Sequence, residues 1–488
     1  MERSMGAVLN EPPPCLESVP LSTYRLQFNA GFRFKDARAI LDYLQALGIG
    51  AIYASPYLRA RSGSPHGYDI VAHDEINPDI GTAREHARLI RDAQCRGIAH
   101  ILDVVPHHMA IDVDNRWWYD VLEWGEASPY ATFFDIDWHA PHGDLEGKVL
   151  MPFLGEPCED AIVRGALAAH FDEPSGALSV THGTERYPLA PNSYAFALRE
   201  AAREAEATLA HDLNALAGDF EAVESHPQAR ARFEHLRSRL SAIAASESAR
   251  GAVTKALRRS LAVVLAQQHY HLAPWRTANA TVNYRRFFDI NNLVALRFED
   301  PSVFARTHAM TLAMLADGRA QGVRIDHIDG LLDPADYCRR LREHASEHGY
   351  APYLIVEKIL SGDEQLPTTW GVHGTTGYDF MNAVNALFVN ARARLRFDRI
   401  YRDFAGADEP YEQIVYRAKH DVLRTHLRAS LDRIARSFLQ LSPCSSYALD
   451  TIREALAETI ASVPVYRTYA TASACSSEDR RTIAAAIA

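Results

Sequence analysis

The sequence predicts an α/β fold in which a parallel sheet is covered by helices. Three observations predict it. Strand-like and helix-like segments alternate from residue 23 to residue 105. The same rhythm returns after residue 300. The apolar run AHILDVV (99–105), stopped by Pro106, has the pattern of a strand buried on both faces, as parallel sheets require.

Residues 23–28 (TYRLQF) read as a short strand. Residues 34–47 have helical spacing and stop at Gly48, a residue that ends helices at low steric cost. Residues 49–57 are apolar and strand-like. Residues 82–97 read as a helix, with Thr82 at the N-cap and Glu85 three positions on, the pattern of a capping box. The rhythm then breaks. Residues 107–194, rich in Gly, Pro, Asp and aromatics, read as an irregular insertion. Residues 195–275 read as a helical subdomain of about three helices, interrupted near 225–227 and 246–251. Residues 301–321 look helical, 323–328 a strand, 334–348 a helix and 353–359 a strand. A second helical subdomain follows over 379–450, then a truncated barrel remainder and tail over 451–488, small and polar from residue 470. The barrel portions are thus 1–106 and 276–378. Five strands are clear, near residues 23, 51, 101, 324 and 355, and the segment after Gly374 can supply a sixth. A (β/α)8 TIM-type barrel needs eight, so the expectation is an incomplete barrel.

Composition narrows the function. The chain has 488 residues, 47% apolar and 23% charged, with a formal net charge of −11. Such a balance fits a globular protein and leaves no electrostatic footprint for nucleic acid or anionic lipid. No apolar run approaches the roughly 18–20 residues of a membrane helix, and residues 1–20 lack the basic start and apolar stretch of a secretory signal. The six cysteines (Cys15, Cys95, Cys158, Cys338, Cys444 and Cys475) are widely and irregularly spaced, which suits reduced thiols in a cytoplasmic protein. No cofactor is expected.

The chemistry gathers at strand ends. Asp103 lies in the run 99–105, with His107 and His108 just after it. The strand near 324 carries Arg324, Asp326 and His327. The strand near 355 ends in Glu357 and Lys358. Alternate residues of a strand share a face, so Arg324 and Asp326 point the same way. Neighbouring strands lie about 4.8 Å apart. A retaining glycosidase needs a carboxylate nucleophile and a proton-donating carboxylic acid about 5–5.5 Å apart, a spacing that Asp326 and Glu357 can meet. On this reading Arg324 keeps Asp326 ionised, while Glu357 needs a raised pKa to hold its proton. A buried structural ion pair at the strand ends is the competing reading.

Several motifs add a resemblance. DVVPHHMA (103–110), GVRIDHIDGL (322–331) and LIVEKIL (354–360) resemble the first three signature regions of the α-amylase superfamily of glycoside hydrolases. SPHGYDIVAHDEINPDIGT (64–82) resembles its second-strand loop. STYRLQF (22–28), NRWWYDVLEWG (115–125), QHYHLAPWR (268–276), YRRFFDINNLVALRFED (284–300), LPTTWGVHGTTGYDF (366–380) and VPVYRTY (463–469) resemble its maltooligosyltrehalose-forming glucosylmutase branch. The resemblance implies Asp326 as nucleophile, Glu357 as general acid/base and Arg324 as the residue orienting the nucleophile. It implies that His108 and Tyr68, with Asp69 beside it, bind the glucose at the cleaved bond, and that Asp103 has an orienting role. The implied substrate is a maltooligosaccharide or other α-1,4-glucan. The implied reaction turns its reducing-end linkage into an α,α-1,1 linkage, and the implied functional partner is the trehalohydrolase that cleaves the capped product.

Two departures stand out. His107 occupies a position where the superfamily usually has Asn. The family's fourth region, a His-Asp pair carrying a third catalytic carboxylate, has no match between Tyr469 and Ala488. The expectation is therefore the N-terminal portion of a longer enzyme, weakly active or inactive by itself. The alternatives are an α-glucan-binding remnant or half of a split enzyme. A metal-dependent barrel hydrolase using Asp103, His107, His108, Asp326, His327 and Asp329 is a further alternative.

Overall fold

The computed structural model describes residues 19–141, 143, 145–223, 228–362, 364–441 and 446–487. Cys15, Cys444 and nearly all of the N-terminal segment considered as a signal lie outside the described residues. The chain divides into two compact units, one of residues 1–108, 296–424 and 431–488, the other of 109–295 and 425–430.

The first unit is built on a six-stranded sheet: β1 (Thr23–Leu26), β2 (Ala51–Ala54), β3 (Ala99–Val104), β4 (Gly322–Ile325), β5 (Tyr353–Val356) and β6 (Gly374–Thr375). The strands follow one another in the order of their numbers, and every neighbouring pair is parallel. This is an incomplete (β/α)8 barrel. All five expected strands are present, and Gly374–Thr375 supplies the sixth. The helix expected over 34–47 is two short helices, Phe34–Ala39 and Leu41–Ala46, because Ile40 leaves helical geometry at φ −102°, ψ 6°. Thr82 and Glu85 form the expected capping box on helix Ala83–Gln94. Asp300 and Asp333 cap helices Pro301–Ala316 and Pro334–Glu347, each with proline at the first turn, where its missing N–H costs nothing.

The sheet interior is tight where β3, β4 and β5 meet. A Cβ on Gly322 would stand 2.8 Å from the Tyr353 carbonyl oxygen and 3.3 Å from Ile101 Cγ1. Only glycine fits there. Two helices beyond the sheet differ: none of the residues of Tyr378–Ala386 or Arg394–Ala405 is buried. Phe380, Leu387, Phe388, Leu395, Phe397 and Phe404 are all exposed. A short helix in water draws most of its stability from burying an apolar face, and this one has none buried within the described residues.

The second unit corrects the reading of 107–194 as irregular. Val149–Leu154 pairs in parallel with Tyr270–Pro274. Leu167–Asp172, Ala177–His182 and Glu185–Pro188 form an antiparallel meander. Its strands are short and joined by turns, one through Gly176 at φ 66°, so their alternation is lost among the turn residues. The helical subdomain holds five helices among the described residues rather than three: Pro191–Ala202, Ala207–Glu221, Ala229–Ala244, Glu247–Arg259 and Leu261–Ala266. Tyr194, Phe220 and Phe233 pack ring against ring among them, and Trp118 is buried against Phe134 and Tyr284.

Two predictions follow from this packing. Gly322→Ala should cost about 1–3 kcal/mol by overpacking the β4–β5 seam, read as a lower midpoint of urea unfolding. Burial also pushes His73, His100 and His308 down to about 3, and His86 down to about 4. These rings are neutral when folded and gain protons more easily when unfolded. The stability they contribute is complete above about pH 6.5 and lost as pH falls from there toward 3. Thermal unfolding followed by circular dichroism should show the midpoint dropping steadily over that window.

Candidate active site

Strand register builds the site. Asp103 of β3 lies opposite Arg324 of β4, and Arg25 of β1 opposite Tyr53 of β2. Just past the strands the ladder continues: the Asp326 N–H donates to the Val104 carbonyl, and the Glu357 N–H to the Ile325 carbonyl, each at 2.8 Å. Asp326 and Glu357 therefore sit on adjacent rungs at the same end of the sheet. The chain turns sharply at once, because His327 adopts φ 44°. Its N–H then donates to Glu357 Oε2 at 2.9 Å.

The Arg324 guanidinium joins three carboxylates. Nη1 donates to Asp103 Oδ1 at 2.7 Å and to Asp326 Oδ1 at 2.6 Å. Nη2 lies 3.0 Å from Glu357 Oε1. Burial works against the Arg324 charge, but Asp103, Asp326, Tyr53 and Glu357 outweigh it and raise its pKa further. The other oxygen of Asp103 accepts from Arg25 Nη1 and Tyr53 Oη, each at 3.0 Å, and from the Tyr68 hydroxyl. Tyr68 Oη also accepts from Arg25 at 2.9 Å.

One electrostatic expectation needs correction. Arg324 does not hold Asp326 low. Desolvation of the buried carboxyl, with the nearby charges of Asp103 and Glu357, pushes Asp326 up to about 7 against the pull of Arg324. A single cation shared among three acids cannot offset the loss of water at one of them.

Asp103, Arg324, Asp326, Glu357 and Tyr68 thus form one network. His108 is buried at the start of the short strand His108–Ala110 that follows β3, beside His107 (ring centroids 5.6 Å apart), and burial depresses it to about 3, so it is a neutral imidazole. His107 meets His327 edge to face at 5.0 Å, and Gly330 makes room: a Cβ there would come within 2.4 Å of both rings. Asp69 stands apart, because its carboxylate accepts from Ser64 Oγ and closes the loop before it. Arg25 and Tyr53 were missed in the sequence. The available signal was a polar residue at an inward position of otherwise apolar strands. The metal alternative finds no support: Asp103 and Asp326 face Arg324, and no group of three His, Cys, Asp or Glu among the described residues converges to hold an ion.

Comparisons with known proteins bear on the fold that carries this geometry. Residues 38–159 match the α-amylase catalytic domain. Maltooligosyltrehalose synthase from Arthrobacter ramosus superposes with a TM-score of 0.72 at 32% identity, covering 96% of this chain and 50% of that one. The protein assigned as a maltooligosyl trehalose synthase in Mycobacterium tuberculosis is 33% identical over 377 residues, which are 76% of this chain and 39% of that protein. A Sulfolobus tokodaii structure described as a hypothetical maltooligosyl trehalose synthase superposes with a TM-score of 0.70 at 27% identity. Alpha-amylase 2 of Dictyoglomus thermophilum is 44% identical over 141 residues, 26% of this chain and 24% of that protein. The chain therefore spans about two fifths of the curated relative's length and half of the first solved structure's.

The raised Asp326 carboxyl has a consequence for stability. Above about pH 7 the folded chain must ionise it at a cost that the unfolded chain does not bear, whereas below about pH 4 it is protonated in both states. Asp326→Asn should therefore raise the unfolding midpoint at pH 8 and leave it nearly unchanged at pH 4. Arg324→Met should do the reverse. Leaving Asp326 and Glu357 without their cation, with Asp103 held by Arg25 alone, should cost about 3–5 kcal/mol near neutral pH and less in acid, measured by denaturant titration.

Proposed function

We propose that this chain carries the nucleophile and acid/base half of a retaining glucosyl-transfer site. The full reaction is the conversion of the reducing-end α-1,4 linkage of a maltooligosaccharide to α,α-1,1. The observation that carries the reading is one guanidinium holding Asp326 and Glu357 on adjacent strand ends, with Asp103 behind them. The names of the relatives supply the substrate class.

Glu357 protonates the oxygen of the last α-1,4 bond while Asp326 attacks C1, and a covalent glucosyl ester forms as that bond breaks. The released glucose turns, its anomeric hydroxyl gives its proton to Glu357, and the new C1–O bond displaces Asp326. Neutral His108 offers a donor or an acceptor to a sugar hydroxyl without adding charge. Tyr68, fixed through its hydroxyl, presents a ring face to the apolar side of a glucose. The product leaves with its reducing end capped, which a trehalohydrolase would consume. The reading places the chain in the cytoplasm, which free thiols at Cys95, Cys158, Cys338 and Cys475 support. No described helix is long and apolar enough to cross a membrane.

Nucleophile and acid can be tested separately. An α-glucosyl fluoride with a second fluorine on the ring needs no protonation of its leaving group. It should esterify Asp326, as seen by intact mass and peptide mapping, at a rate that rises with pH through about 7 as the carboxyl ionises. Asp326→Asn should abolish the label, whereas Glu357→Gln should keep ester formation from the fluoride, which needs no acid. A label on any other residue, or one that survives in Asp326→Asn, overturns the proposal.

A further inference from the structure

Lys358 follows the proposed acid directly, and its side chain is fully buried. Its Nζ lies 3.0 Å from Asp329 Oδ2 and 2.7 Å from Glu364 Oε1. Asp329 belongs to the 3-10 turn Ile328–Gly330, three residues beyond Asp326. Glu364 belongs to the loop that follows β5. One ammonium thus ties the loop after the nucleophile strand to the loop after the acid strand. A second fastening comes from the segment VPVYRTY. The Tyr469 hydroxyl donates to Asp329 Oδ1, and its ring centroid lies 5.7 Å from Lys358 Nζ. Arg467 Nη1 donates to the carbonyls of Asp329, at 3.0 Å, and Leu331.

A buried ammonium between two carboxylates is costly to desolvate and is weak support for stability, since apolar side chains of the same volume often do as well. Such groups fix register where two segments could otherwise slide. Here the segments are the two that carry Asp326 and Glu357. Arg324 joins the two acids on the side facing the site, and Lys358 joins their loops behind it.

We infer that Lys358, with Asp329, is a positioning residue that holds Glu357 and Asp326 at reacting distance. This rests on the glycosyl-transfer reading and extends it to residues that do not touch substrate. The test uses the full chain and the doubly fluorinated α-glucosyl fluoride. In labelling, Asp326 Oδ forms a bond to C1, the C1–F bond breaks, and fluoride leaves with the electron pair. The maximal labelling rate and the half-saturating concentration are measured separately.

Lys358→Met should lower the maximal rate by about 10- to 100-fold with the half-saturating concentration unchanged, because a displaced but intact site still binds sugar. Asp329→Asn should act in the same direction, and the double variant should be no worse than the more impaired single one. Lys358→Arg, which keeps the charge, should recover most of the rate. Should Lys358→Met fail to fold by circular dichroism, Asp329→Asn decides. Wild-type labelling rates in folded Lys358→Met or Asp329→Asn overturn this inference alone. Failure of the wild-type chain to label at Asp326 overturns the parent reading and this one together.

Discussion

One cation shared by three acids governs this molecule. Asp103, Asp326 and Glu357 come from three consecutive strands, and without Arg324 between them their charges would repel across a few ångströms of poorly solvated space. The guanidinium satisfies them because its flat fork has five donors in fixed directions, an arrangement a lysine could not reproduce. The sheet in turn exists to place that fork. Parallel pairing sets β3 beside β4 and β4 beside β5, so one side chain on β4 reaches all three carboxylates.

Much of this was legible in the sequence. Continuous apolar runs gave the strands, and polar residues embedded in or ending those runs gave Asp103, Arg324, Asp326 and Glu357. The capping box at Thr82 and Glu85 is a purely local signal and appears as expected. What stayed hidden depends on distant parts of the chain. The proton affinity of Asp326 is set by burial, which no local pattern reports. Arg25 and Tyr53 reach Asp103 only through strand register. The fastening of Asp329 by Tyr469 joins residues 140 positions apart. The strands within 107–194 were lost because short strands between glycine turns have too few residues to show an alternation.

The exposed helices after residue 378 set a contrast with the sheet. Around β3, β4 and β5 nearly every apolar side chain is enclosed. Along 378–405, large aromatic and aliphatic groups face outward with nothing described beneath them. The same chain thus combines a tightly packed sheet with a surface whose composition is that of an interior.

The left-handed backbone of His327 ties together two side chains that the strands present separately. A residue with a Cβ accepts this conformation at some energetic cost, and here it aims one amide at Glu357 immediately after Asp326 leaves its strand. A single peptide unit therefore carries the Asp326 carboxylate on one side and a hydrogen-bond donor for Glu357 on the other. The two carboxylates cannot be tuned separately: any redesign that relaxes this torsion to ordinary geometry would release Glu357 and redirect Asp326 in the same step.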